Sequence, residues 1–413
     1  MSRPAVPLDS NLYRIANRAN EYFSKALYKD AANEYTKALT QTAPDYATVE
    51  SELSEFVALL LSKRAASYCK LEQYDQALKD AIAVTQLKPE WSKVSHIRGI
   101  ISSYGGTRVF FQGYFRMAEI FLAQQQFIEA IAYYDRASNY DAEDVEIRIG
   151  KARAKNMKEE DDKGFISIQL LAGRDIANTS SYNPIQNKIF EYATEMRNFI
   201  YLVADKETRE CIVIDACWDA TGIISIIEKH KLKLVGAVVS HYHFDHVGGY
   251  PPPPFDQLPI RVSGLATILK RWPHVKAYIH SADIKYLRES NPGVEIERII
   301  PTCHNFTLKL GDKTTLSFIH TPGHTPGSQC IFVNETRLYS GDTLFLGHCG
   351  RLDLPGGCKH EMYDTLQSVL RQLPDDVVVY PGHNYGGAWT TIGQEKWYGV
   401  LKEISREKFE ESR

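Results

Sequence analysis

Val238-Val239-Ser240-His241-Tyr242-His243-Phe244-Asp245-His246-Val247-Gly248-Gly249 is the stretch on which the reading of this chain turns. The apolar run Leu234 to Val239 that feeds it reads as a short buried strand. Where that strand stops, three imidazoles and a carboxylate arrive within six residues. Alternation along an extended segment puts His241 and His243 on one side, while Asp245 and His246 follow where the chain turns. Side chains of these types at this density are metal donors, and because the four need not converge on one ion, two adjacent ions are expected. Gly248-Gly249 leaves room for close backbone approach. A polar surface cluster that binds nothing has no reason to place three histidines directly after a strand.

Further donors follow in order. His324 stands in His320-Thr321-Pro322-Gly323-His324-Thr325-Pro326-Gly327-Ser328, Asp342 in Ser340-Gly341-Asp342-Thr343, and His383 in Tyr380-Pro381-Gly382-His383-Asn384. From roughly Phe165 to Lys402 the chain resembles the metallo-β-lactamase superfamily. The resemblance implies an α/β fold of four layers, αββα, with the motifs on loops at the ends of the sandwich's strands. It implies that His241, His243 and His324 hold one divalent ion, that Asp245, His246 and His383 hold a second, and that Asp342 bridges them. Asp245 and Asp342 are then the catalytic carboxylates. Asp215 matches an aspartate that orients a ligand histidine through its second ring nitrogen. Imidazoles and carboxylates without thiolates suit two zinc ions first, and iron or manganese as well.

Gly347-His348-Cys349-Gly350-Arg351-Leu352-Asp353 resembles a loop of the hydroxyacylglutathione hydrolases (glyoxalase II) and of the persulfide dioxygenases, which implies a substrate-binding role for Arg351. The expected function is hydrolysis of a thioester or related acyl compound by a metal-bound hydroxide, without a Ser or Cys nucleophile; a departing thiolate needs little help from a general acid. Two alternatives stand beside it. One is an iron-dependent persulfide dioxygenase using His241, His324 and Asp342 alone. The other is an interaction protein whose hydrolase domain is vestigial, against which the complete donor set argues. Asp353 stands where glutathione-gripping relatives carry a tyrosine, and only 30 residues follow His383. Weak discrimination between glutathione and other thioesters is therefore expected.

A length of 413 residues implies two or three domains, 44% hydrophobic and 24% charged residues fit globular ones, and a net charge of −3 gives no electrostatic footprint for nucleic acid. Seven cysteines without close pairing suggest neither a disulfide framework nor a zinc knuckle, and with no apolar segment of membrane length the expected setting is cytoplasmic, away from membranes.

From Asn11 to about Asp161 the pattern is helical. The pairs Ala19 and Ala31, Ala65 and Ala77, Ala118 and Ala130 are each twelve apart, as three helical hairpins with small contact residues require. Tyr28, Tyr74 and Phe127 precede the second helices, and Leu87-Lys88-Pro89 closes the middle hairpin. This resembles an all-α tetratricopeptide-repeat array, with extra residues around Thr42 to Phe56 and Val94 to Gln112. Glu143 to Met157 is expected as a polar capping helix. The resemblance implies a protein or peptide partner in the repeat groove. Its carboxylate-binding version is incomplete: Asn20 and Arg116 match, whereas Ala16, Lys63 in place of the second Asn, Ile97 beside Lys93, and Gln112 depart from the pattern, so that docking through Asn20, Lys63 and Arg116 is not the expectation.

The charged run Lys158 to Lys163, ending at Gly164, places the boundary between a repeat domain of residues 1–162 and a catalytic domain of residues 163–413. Beyond it, Phe199 to Ala204, Cys211 to Asp215, Lys276 to His280, Leu316 to His320, Cys330 to Val333 and Val377 to Tyr380 read as strands, and Ala220 to His230 and Gln367 to Arg371 as helices. Tyr250-Pro251-Pro252-Pro253-Pro254-Phe255 reads as a stiff extended insertion, residues 250–262, over the rim of the site.

Overall fold

The computed structural model describes residues 10–42, 51–87, 112–179, 183–256 and 259–411. The chain divides into two compact units, Met1–Glu159 and Glu160–Arg413. In the first, α1 (Ser10–Ser24) pairs with α2 (Tyr28–Gln41), α3 (Ser51–Lys70) with α4 (Tyr74–Leu87), and α5 (Gln112–Ala123) with α6 (Phe127–Ser138). The regularly spaced alanines are buried contact points: Ala19, Ala31, Ala77, Ala118 and Ala130 are fully enclosed and Ala65 nearly so. All three hairpins turn by one device. Ala26, Glu72 and Gln125 are left-handed (φ 58, 60 and 60°). The next residues, Leu27, Gln73 and Gln126, donate N–H bonds back to the carbonyls of Tyr22, Tyr68 and Phe121 at 2.9, 2.9 and 2.8 Å. Those bonds satisfy carbonyls that a helix end leaves over. The unit is a tetratricopeptide-type array. Part of its first insertion is helix, since α3 begins at Ser51; Lys88, Pro89, Lys93, Ile97 and the rest of residues 88–111 lie outside the described residues.

The second unit is built on two six-stranded sheets. The first runs, in spatial order, β1 (Phe165–Leu171), β2 (Phe199–Asp205), β3 (Glu210–Ile214), β4 (Lys233–Val238), β5 (Lys276–His280) and β6 (Ile299–Thr302). The second runs β7 (Phe306–Leu310), β8 (Thr314–His320), β9 (Gln329–Val333), β10 (Arg337–Gly341), β11 (Val378–Pro381) and β12 (Thr390–Thr391). Side-chain alternation makes the layers. In β2, Phe199, Tyr201 and Val203 join Phe318, Ile331 and Tyr339 between the sheets. The alternate residues Ile200, Leu202 and Ala204 pack outward against α8 (Pro184–Met196), α9 (Ala220–Lys229) and α11 (Leu265–Arg271). Because both faces are covered, every residue of β2 is buried. On the far side, Leu338 and Val379 meet α13 (Lys359–Asp364), α14 (Ile392–Trp397) and α15 (Arg406–Glu411). Two short helices, α10 (Phe244–Val247) and α12 (Ile284–Ser290), follow β4 and β5.

Three expectations change. The capping helix does not stop at Met157: α7 runs Val145–Asp162 and takes the charged run into its last turns. Lys and Glu continue a helix readily, and Glu160 in its last turn is buried against Arg337. The helix expected at Gln367 to Arg371 is the irregular end of a run that starts at Lys359 and passes through a wide turn and then a tight one. The proline-rich insertion is a closed loop rather than a stiff extension. Gly249 and Val262 bridge its ends, and Phe255 packs on Tyr192 and Phe244, with ring centres 5.2 and 5.4 Å apart.

Candidate metal centre

β4 ends at Val238, and the chain then runs through His241 and His243 into α10, which carries Asp245 and His246. His324 lies between β8 and β9, Asp342 directly after β10, and His383 just beyond β11. All seven residues meet. His243 Nδ1 is 3.1 Å from His241 Nε2 and 3.0 Å from His324 Nε2. A second set forms where His246 Nε2 is 3.2 Å from His383 Nε2 and 3.5 Å from Asp245 Oδ2. Asp342 reaches both. Its Oδ1 is 3.2 Å from His246 Nε2, and its Oδ2 is 3.3 Å from His383 Nε2 and 3.6 Å from His324 Nε2.

The outer ring nitrogens decide which way the lone pairs point. His246 Nδ1 lies 2.9 Å from Asp215 Oδ2, His324 Nδ1 2.7 Å from the Arg351 carbonyl, and His383 Nδ1 2.6 Å from the Met196 carbonyl. A carboxylate or carbonyl only accepts, so each Nδ1 carries the proton and each Nε2 turns a lone pair inward. His241 follows the same logic one step removed. Its Nδ1 is 3.0 Å from Ser240 Oγ, which donates to Asp215 Oδ2 at 2.7 Å. Asp215 thus touches one histidine and reaches another through Ser240. It does so from a left-handed backbone (φ 57°), a strained conformation of the kind found at functional sites.

Electrostatics point the same way. Burial opposes charge on His246, yet Asp342, Asp245 and Asp215 overcome it and hold the imidazole well above its usual range. Burial likewise opposes charge on His383, and Asp342 and Asp245 raise it to about 9. Burial works against ionised Asp245 and Asp342, but His246 and His383 keep both well below the carboxylate range. His243 is pulled down to about 3 by burial and then by His324. Protons on His246 and His383 therefore balance carboxylates that a divalent cation would balance instead. Asp342 Oδ1 is buried and faces His246 Nε2 at 3.2 Å without a well-formed hydrogen bond, as fits an oxygen built for a cation. The donor set suits a divalent metal.

Residues without a sequence motif complete the centre. Asp283, fully buried after β5, accepts from Thr325 Oγ1 at 2.8 Å, Gly327 N at 2.7 Å and Tyr242 N at 3.2 Å. One carboxylate so ties the His241 to His243 segment to the His324 loop. Asn198 Nδ2 donates to Asp245 Oδ2 at 3.0 Å. Tyr385 stacks on His383 with ring centres 4.6 Å apart, and Phe345 and His348 pack around it. Arg351 contributes its backbone carbonyl to His324, while its guanidinium is exposed and paired with Asp353. His320 is a strand-end residue stacked on His280 at 3.8 Å. His274 bonds the Leu234 carbonyl and His360 pairs with Glu410.

Two facing sheets enclosed by helices, with imidazoles and aspartates converging on loops at one end, define a class of metal-binding hydrolase scaffolds. A family model of the metallo-beta-lactamase superfamily matches residues 193–252 and 261–383, leaving a gap over part of the proline-rich insertion. An uncharacterised protein of Aquifex aeolicus is 36% identical over 201 residues, covering 47% of this chain and 87% of that one. A probable hydroxyacylglutathione hydrolase of Schizosaccharomyces pombe is 30% identical over 198 residues, covering 46% and 64%. The human mitochondrial persulfide dioxygenase is 27% identical over 214 residues, covering 51% and 74%. The second unit carries a metallo-beta-lactamase superfamily domain. Among the described residues no helix is long and apolar enough to cross a membrane.

Proposed function

We propose that the second unit is a two-metal hydrolase that cleaves a thioester or a related activated acyl compound. The observation that carries this reading is the placement of Asp342, whose two oxygens lie against both donor sets while Oδ1 has no other partner. His241, His243 and His324 would hold one ion, and Asp245, His246 and His383 the other. Held there, divalent ions, zinc by preference, would supply Lewis-acid polarisation of an acyl oxygen and would lower the pKa of a water toward neutrality. The protein's own part is orientation. Asp215 and Ser240 keep the histidine tautomers, Asp283 holds two loops in register, and Asp245 and Asp342 stay ionised to neutralise the cations. A thiolate leaves without a proton donor, so cleaving a thioester asks for no general acid beyond the residues that face the metals. The hydroxyacylglutathione hydrolase relative supports that choice.

The persulfide dioxygenase relative motivates a second reading, one iron on His241, His324 and Asp342. The close approach of Asp245, His246 and His383 supports two ions instead. Metal analysis combined with thioester turnover and oxygen uptake on glutathione persulfide separates the two. For the first unit we propose an anionic peptide as partner, supported by Lys63, which donates to Asn20 at 2.9 Å and lies near Arg116. Loss of peptide binding in Lys63→Ala tests it.

A further inference from the structure

We propose that Asn198 and Trp218 are a positioning pair that aims Asp245 at the second ion, an inference that rests on the two-metal reading above. Asn198 sits between α8 and β2, and Trp218 lies just beyond β3; both are buried, at 1% and 2% exposure. An indole N–H donates and never accepts. Its 2.9 Å contact with Asn198 Oδ1 therefore decides which end of the amide faces which neighbour. Nδ2 must face Asp245, and it donates to Oδ2 at 3.0 Å.

The same nitrogen lies 3.3 Å from His246 Nε2 and 3.4 Å from His383 Nε2, so it stands beside every donor atom of the second set. An amide NH2 has no lone pair for a cation, and its role there is to hold the carboxylate oxygen in place. Asp245 needs such a hold, because α10 has only four residues and little rigidity of its own. The restraint is itself anchored. The Asn198 carbonyl accepts from Ala172 N at 3.0 Å, and its backbone bridges His383. Trp218 takes a left-handed backbone (φ 67°) and packs its ring against Phe244, the residue before Asp245, with centres 6.0 Å apart. Among the described residues no hydrogen bond or ring contact joins His241, His243 or His324 to this pair, so the effect is confined to one ion.

The test is a Zn2+ titration against a chromophoric chelator, using full-length metal-stripped wild type, Trp218→Phe, Asn198→Ala and the double variant. Trp218→Phe keeps an aromatic ring beside Phe244 and removes the N–H together with part of the indole. Wild type should take up two ions, and each single variant should weaken the second by about 10–100-fold while leaving the first unchanged. The double variant should be no weaker than Asn198→Ala alone, because Trp218 acts through Asn198. Unchanged second-ion affinity in Asn198→Ala, equal weakening of both ions, or losses that simply multiply in the double variant would overturn the pair. A wild type that takes up no ion at all would overturn the two-metal reading and this inference with it.

Discussion

Glu160 and Arg337 form an ion pair inside the second unit, 2.9 Å apart, with side-chain exposures of 4% and 0%. Tyr380 Oη donates to the same carboxylate oxygen at 2.8 Å. Removing one member of such a pair leaves the other charge in a medium that solvates it poorly, at a cost of about 3–5 kcal/mol. A fragment beginning at Lys163 lacks Glu160 and is expected to be poorly soluble or to melt well below a fragment beginning at Val145, which keeps all of α7. Thermal unfolding of the two fragments checks this, and equal melting temperatures would contradict it.

Asp283→Ala removes the acceptor shared by the Thr325 hydroxyl and the Gly327 and Tyr242 N–H groups, of which the buried Gly327 N–H has no other hydrogen-bond partner among the described residues. Each buried group left unsatisfied costs about 1–3 kcal/mol, so urea unfolding should show a loss at the upper end of single substitutions. Because Tyr242 and Thr325 adjoin His241, His243 and His324, the first ion should weaken more than the second. A stability change below about 0.5 kcal/mol would remove Asp283 from its assigned role.

Acid sensitivity follows from Asp205, at the end of the sandwich opposite the metals. Burial disfavours its charge, but N–H groups of Thr208, Lys313 and Glu207 and the Thr208 hydroxyl outweigh burial and lower its pKa. A carboxyl whose folded pKa lies below the unfolded value of about 3.9 stabilises the protein above that pH and loses the contribution as pH falls through the folded value. The melting temperature of Asp205→Asn should therefore lie below wild type at neutral pH, with the gap closing below about pH 4. A gap constant from pH 7 to pH 3 would be the contrary result.

What was legible in the sequence was what short spacing and alternation encode. The donors from His241 to His246 lie on one strand end, and the hairpin alanines recur at a fixed step, so both could be read directly. Most core strands were visible from apolar runs, whereas β1, β6, β7, β10 and β12 were not singled out. The proline run misled because its conformation is set by Phe255 docking on Tyr192 and Phe244 rather than by local stiffness. Asp283 and Asn198 were invisible for another reason: they act across 41 and 47 residues on Tyr242 and Asp245, and no local pattern marks such a contact. Arg351 was noted for its side chain, while the structure uses its carbonyl.

Substrate grip should be weak. The Arg351 guanidinium and Asp353 carboxylate are both 68% exposed and paired with each other, and an exposed pair of this kind contributes about 0–1 kcal/mol. Arg351→Ala is expected to raise KM for S-lactoylglutathione by less than about tenfold with little change in kcat. A large preference for the glutathione compound over a thioester lacking the tripeptide, abolished in Arg351→Ala, would contradict this.

The two-metal claim is tested most directly by counting ions. Wild type and Asp342→Ala, purified in parallel and equilibrated with excess Zn2+, are dialysed and analysed for metal per chain. The account predicts two ions in wild type and at most one, more weakly held, in Asp342→Ala, since the oxygens that face both donor sets are gone. Two ions retained by Asp342→Ala, or a wild type that holds a single iron and excludes a second ion, would contradict it.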